Sequence, residues 1–131
     1  MANMDIRDAV EADADRLAEL TESPQDVMRN LVHDRTVRVA TGDDEIVGFV
    51  SYDAREDTVH VTQLEGTDEI RDQLLQEPVR FAGNEGMAVE LLVLEDESET
   101  RDAAEDACIE HTGSGPTFEG RPTVRYRLES A

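Results

Sequence analysis

The sequence predicts a mixed α/β domain: one sheet with both antiparallel and parallel pairing, and helices packed on it. Three observations predict this. Residues 36–62 hold three successive alternating or β-branched segments, which implies an antiparallel meander. Ala88 to Leu94 is a nearly unbroken apolar run between two helical patterns. That placement implies a parallel crossover inside a mixed sheet. The chain has 131 residues and shows no internal repeat or low-complexity linker, so it is read as one domain, 1–131, with one modest core.

The elements follow in order. Met4 to Ala9 is a short first strand after a lead of Met1 to Asn3. Val10, Ala14, Leu17 and Ala18 recur at helical spacing. Ser23-Pro24-Gln25-Asp26 opens a second helix, because serine caps, proline suits the first turn and aspartate complements the positive end. Val27, Met28, Leu31 and Val32 form its apolar face. Strands follow at Thr36 to Val39, Ile46 to Tyr52 and Thr58 to Thr62, separated by turns at Thr41 to Asp44 and Asp53 to Asp57. Gly66-Thr67-Asp68 opens a helix carrying Ile70, Leu74 and Leu75, which Pro78 should kink or restart. Ala88 to Leu94 then reads as a strand buried on both faces, with Glu90 its only charge. Ser98 or Thr100 caps a last helix with Ala104, Ala107, Cys108 and His111 on one side, and Gly113 suits its end. Pro116 to Glu119 and Thr123 to Leu128 are the closing strands. The expected order is β-α-α-β-β-β-α-β-α-β-β.

Composition speaks to solvent and partners. Acidic residues number 32 and basic ones 12, a formal charge of −20, and every basic residue is arginine. In dilute buffer such a charge opposes compaction. At about 1 M salt the Debye length is roughly 3 Å and the repulsion is largely screened. The acids are spread along the chain between apolar patterns, so they read as a surface of halophilic type in a high-salt cytosol rather than a disordered acidic tail. The single Cys108 cannot form an internal disulfide, and no apolar run is long enough for a signal core or a membrane span. These features imply a cytoplasmic protein with no membrane partner. The negative charge excludes a nucleic-acid partner; Arg121, Arg125 and Arg127 are explained by one solvated strand face. The sequence leaves monomer and homodimer both open.

The element order, in this length, resembles the GCN5-related N-acetyltransferase (GNAT) superfamily. Three pieces carry the likeness. Met4 to Ala9 with Asp13 to Leu20 resembles the family's opening strand and helix. Asp44-Glu45-Ile46-Val47-Gly48-Phe49-Val50 resembles its third strand. His111-Thr112-Gly113, then Phe118 and Arg125-Tyr126, resembles its closing segment. The resemblance implies a GNAT-like fold over the whole chain. It also implies an opening between the fourth and fifth strands for acetyl-CoA, and transfer of acetyl to a small-molecule or peptide amine.

The site residues follow from that resemblance. The backbone of Val59 to Val61 would contact the thioester. Gln63, Gly66 and Thr67 match the remains of the family's phosphate loop, Gln63-Leu64-Glu65-Gly66-Thr67-Asp68, in which Asp68 departs from the pattern. The loop is therefore degenerate, and Glu65, Asp68, Glu69 and Asp72 crowd the place of a diphosphate with only Arg71 opposing them. An amine with a lysine-like pKa of about 10.4 must lose a proton before attack. His60 is the first choice of base and Glu65 the second; His60 also reads as an ordinary half-buried strand residue. The family's acid, a tyrosine four residues before the glycine, falls on Ile109. His33, His60 and His111 show no metal-ligand spacing, so no metal is expected. Cys108 reads as a packed core thiol. Two functions are consistent with these residues: an N-acetyltransferase, or a non-catalytic binding module on the same fold that has lost CoA.

Overall fold

The structure is a computed structural model, and it describes residues 4–107, 109–117 and 120–129. Cys108, Phe118 and Glu119 lie outside the described residues, so the readings placed on them stay expectations. The elements are β1 (Met4–Asp8), a short 3-10 turn, α1 (Ala14–Thr21), α2 (Gln25–Asp34), β2 (Thr36–Gly42), β3 (Glu45–Arg55) and β4 (Thr58–Glu65). They continue with α3 (Asp68–Glu85), β5 (Ala88–Leu94), α4 (Ser98–Asp106), β6 (Glu110–Ser114) and β7 (Thr123–Leu128). The order of strands and helices is the one the sequence implies.

All seven strands join one sheet in the order β1-β2-β3-β4-β5-β7-β6. Pairing is antiparallel throughout except for β4 with β5, which is parallel. Neighbouring strand residues point to opposite faces, and each face carries its own core. On one face α1 and α2 bring Ala14, Leu17, Ala18 and Met28 onto Val37, Val39, Ile46 and Phe49. On the other, Leu74, Leu75 and Ala82 of α3 and Ala103 and Ala104 of α4 pack on Val50, Val59, Val61, Val89, Leu91, Val93 and Tyr126. Each fully buried Leu, Val or Phe side chain stabilises by about 1.5–3 kcal/mol.

Pro78 does not interrupt α3, which runs unbroken from Asp68 to Glu85. An interior proline costs about 3 kcal/mol, and burial of Leu74, Leu75 and Ala82 against the sheet offsets it. One charge, Glu77, is buried on this helix. It accepts from Arg38 Nε at 3.1 Å and from Arg80 Nη1 at 2.9 Å, so α3 is tied to β2 by a shielded ion pair.

Four expectations need correction. Val10 and Val27 were expected on apolar helix faces but are 56% and 51% exposed, because each sits in an entry turn rather than over the sheet. The last helix ends at Asp106, and His111 and Gly113 belong to strand β6. Pairing with β7 overrides the helical pattern there, and Gly113, at φ +144°, sits at the register shift of that ladder. Pro116 and Thr117 are not strand. Finally, β5 is buried on one face only: Leu92 is 44% exposed, because α1 and α2 cover β2 and β3 and stop there.

Candidate functional site

The centre of the molecule is an opening between β4 and β5. Their ladder runs from Thr58↔Ala88 to Val61↔Leu91 and ends. Beyond that point β4 stays with β3 as far as Phe49↔Glu65. The separation begins at a bulge: Tyr52 faces Val61 and Ser51 faces Gln63, so Thr62 is the extra residue. The Thr62 hydroxyl lies 2.6 Å from the Ser51 hydroxyl and donates to the Ser51 carbonyl at 3.2 Å. The bulge is thus pinned to β3, and β4 is bent away from β5.

The resulting cavity holds about 430 Å³. Thr62 to Glu65 form one wall and Leu91 to Leu94 the other, with Glu97, Thr100 and Thr123 at its ends. Leu91 and Val93 face the α3 side of the sheet, whereas Leu92 faces the opposite side. The cavity therefore passes through the sheet and has two mouths.

One mouth lies at the first turns of α3 and α4. A second cavity of about 360 Å³ there is lined by Glu65, Arg71, Asp96, Glu97, Ser98 and Glu99. The loop after β4 reaches it by close packing. A Cβ on Gly48 would stand 2.5 Å from the Glu65 carbonyl oxygen and 2.7 Å from Ile70 Cγ2, so only glycine lets β3 approach the loop. Gly66, at φ +141°, makes the turn into α3. Thr67 caps α3 without a side-chain bond. Arg71 is the one cation lining this cavity. It donates to the Gly66 carbonyl at 2.5 Å, to Asp68 at 2.7 Å and to Glu99 at 2.8 Å. Burial pushes the Glu65 carboxyl up; Glu97 adds to the rise and Arg71 opposes it.

The other mouth opens on the uncovered face. On that face, in the part of the sheet where β4 and β5 are still paired, one row reads Asp53, His60, Glu90, Arg127 and Glu110 on five neighbouring strands. His60 Nδ1 lies 4.0 Å from Glu90 Oε1, and Arg127 Nη1 lies 3.0 Å from Glu90 Oε2.

These placements sort the residues singled out from the sequence. Glu65 and Gln63 line the main cavity. Gly66 and Thr67 stand at the start of α3, beside it. Val59 and Val61 are buried in the core, inside the paired part of the ladder, and the open backbone begins at Thr62. His60 lies on the uncovered face, paired in register with Glu90 and away from the acidic mouth. The acid cluster has a different membership from the expected one. Glu69 and Asp72 do not line it, whereas Asp96, Glu97 and Glu99 do. The signal for these was the run Glu95-Asp96-Glu97-Ser98-Glu99 after an apolar strand, since parallel strands bring the loops at their ends together.

No family profile matches the chain, and no curated protein does. Solved structures do. An acetyltransferase of the GNAT family from Bacillus cereus superposes with a TM-score of 0.81 over 98% of this chain and 99% of its own, at 13% identity. The protein yncA from Salmonella typhimurium, solved with its cofactor acetyl-CoA, gives 0.82 over 98% and 94%, at 15% identity. Aminoglycoside 6'-acetyltransferase type Ii gives 0.80 over 95% and 96%, also at 15% identity.

The fold is that of the GNAT acetyltransferases.

Within that fold, the cavity is lined by apolar Leu64 and Leu91 to Leu94 and by polar Thr62, Gln63, Glu65, Glu97, Thr100 and Thr123. Among the described residues, four carboxylates and one guanidinium line the acidic mouth. No helix among the described residues is long and apolar enough to cross a membrane. Among those residues, no group of three or more His, Cys, Asp or Glu is placed to hold a metal.

Proposed function

We propose that this protein is an N-acetyltransferase that moves an acetyl group from acetyl-CoA to an amine in a high-salt cytoplasm. The observation that carries the reading is the end of the β4–β5 ladder at Val61↔Leu91, with a cavity of about 430 Å³ behind it. Acetyl-CoA supplies an activated acetyl thioester. The residues do the rest. Strand backbone from Thr62 to Leu64, unpaired to β5, provides N–H groups for the carbonyl oxygen as charge develops. Glu65 is the base that takes the ammonium proton; its raised pKa brings it nearer the working pH. The placement favours Glu65, which lines the cavity, over His60, which does not. Arg71 is the residue for a diphosphate, and it must leave Asp68 and Glu99 to serve. No residue is assigned as acid for the departing thiolate: Ile109, the residue reached by counting back from Gly113, is buried and apolar, and Gly113 lies in β6 rather than at a helix end.

A second reading has its own support. The carboxylates Glu65, Asp96, Glu97 and Glu99 around the smaller cavity favour a binding module on this fold that no longer takes CoA.

A titration of acetyl-CoA in molar KCl, followed by NMR shifts or heat, decides between them. Binding below millimolar, with shifts at Thr62 to Glu65, is the expected result. No binding at millimolar ligand overturns the acetyltransferase reading in favour of the module. Glu65→Gln should then keep binding and lose turnover.

A further inference from the structure

The uncovered sheet face holds a cation whose side chain makes no hydrogen bond among the described residues. The protein carries −20 net charge and twelve arginines. On this face Arg127 is fully engaged, donating to Glu90 at 3.0 Å, to Glu129 at 2.6 Å and to Thr58. Arg125 is engaged only through an ion pair: its Nε lies 3.7 Å from Glu90 Oε1, beyond hydrogen-bond reach, and is buried with no hydrogen bond made by it. Among the described residues no hydrogen bond is made by its terminal nitrogens, and its side chain is 43% exposed.

Its position is set by register. Arg125 on β7 is the direct partner of Leu92 on β5, one strand from the cavity that Leu92 lines. Its other neighbour is Gly113 on β6, which places no side chain beside it and has open space where a Cβ would be. Glu90, its ion-pair partner, takes its hydrogen bond from Arg127 at 3.0 Å instead. The result is a half-exposed guanidinium fork in register with an exposed leucine that lines the cavity. A guanidinium presents paired donors that match a carboxylate in two parallel hydrogen bonds. Molar salt screens long-range attraction but leaves that short-range match in place.

We infer that the acceptor is an amine that also carries a carboxylate, held by Arg125, with an apolar portion resting on Leu92. The inference rests on the acetyltransferase reading and deepens it, by naming the acceptor class and the residue that selects it.

The test needs no acetyl-CoA. N-acetyl-leucine and its neutral amide are titrated into the intact chain in molar KCl, and the Leu92 methyl shifts are followed. N-acetyl-leucine should bind at least tenfold more tightly than the amide. Arg125→Gln should abolish that preference and leave amide binding unchanged, and Arg125→Lys, which keeps charge but loses the fork, should restore only part of it. Equal affinity for the two probes, binding of neither, or an unchanged preference in Arg125→Gln overturns the inference. Circular dichroism of each variant reports folding separately. Acetyl-CoA titrated into the same sample reads the parent proposal by itself. If it binds while the probes are not distinguished, only the acceptor assignment falls. If it does not bind, the acceptor role of Arg125 falls with the acetyltransferase reading, whatever the probes do.

Discussion

Arg71 on α3 reaches Glu99 on α4 at 2.8 Å, and so closes the first turns of the two helices over the acidic mouth. With Asp68 at 2.7 Å, Glu99 competes with any anionic ligand for this guanidinium. A charge-assisted hydrogen bond is worth about 1.5–3 kcal/mol. Arg71→Gln should therefore weaken acetyl-CoA binding by at least about tenfold. Glu99→Gln, which releases Arg71, should tighten it. Calorimetry in molar KCl measures both, and affinity unchanged in both variants would remove Arg71 from the site.

Glu65 gives a pH dependence whose sign can be worked out. Its carboxyl is pushed up in the folded state, first by burial and then by Glu97. The folded protein therefore holds this proton more firmly than the unfolded chain does. Stability is lost as pH rises from the unfolded value, about 4.3, through the raised folded one. Glu65→Gln should be more stable than the parent at pH 7 and no more stable near pH 4. Urea unfolding at the two pH values checks it.

Gly48 and Gly83 make opposite predictions. A methyl group on Gly48 meets the Glu65 carbonyl oxygen, whereas one on Gly83 meets nothing within 4 Å. Gly48→Ala should cost about 1–3 kcal/mol and shift the resonances of Glu65 and Ile70. Gly83→Ala, in the interior of α3, should gain up to about 1 kcal/mol. Denaturant midpoints in constant salt distinguish them.

The Glu77 ion pair separates buried from exposed electrostatics. Glu77 is 8% exposed and bonds to Arg38, which is 29% exposed, and to Arg80, which is 69% exposed. Removing the carboxylate with Glu77→Ala leaves Arg38 with Asp8 alone and should cost about 2–3 kcal/mol, below the fully buried range because Arg38 is part-solvated. Arg80→Ala should cost under about 1 kcal/mol. Equal costs would mean that burial does not govern this network.

Salt should govern the whole fold. Lowering KCl from about 1 M to 0.1 M lengthens the Debye length from roughly 3 Å to 10 Å, and the charge of −20 then repels itself across the molecule. Helical circular dichroism should fall on dialysis out of salt and return on its restoration; a signal unchanged in dilute buffer would refute the halophilic reading.

Much of the fold was legible because its signals are local. The alternation of Val37 and Val39, the run Ala88 to Leu94 and the Gly66-Thr67-Asp68 helix start each report the conformation of their own segment. The site was legible only in part. Glu65 and Gln63, singled out from the sequence, line the cavity. The role of Asp96 to Glu99 depends on two loops meeting, and no spacing within one segment records that. His111 was misread because a pattern of alanines continues a helix in one dimension, whereas the edge of β7 offered it hydrogen bonds in three.

The sequence by itself determined the order of the elements, the single mixed sheet and the acidity of the surface, because periodicity and composition act residue by residue. Tertiary structure alone decided where the sheet opens, which acids gather at one mouth and that Leu92 and Arg125 stand side by side on the uncovered face of the sheet. The opening depends on a one-residue shift of register between β3 and β4, at Thr62. The uncovered face depends on where α1 and α2 stop. Both are relations between segments far apart in the chain, set by packing and not by the pattern of either segment.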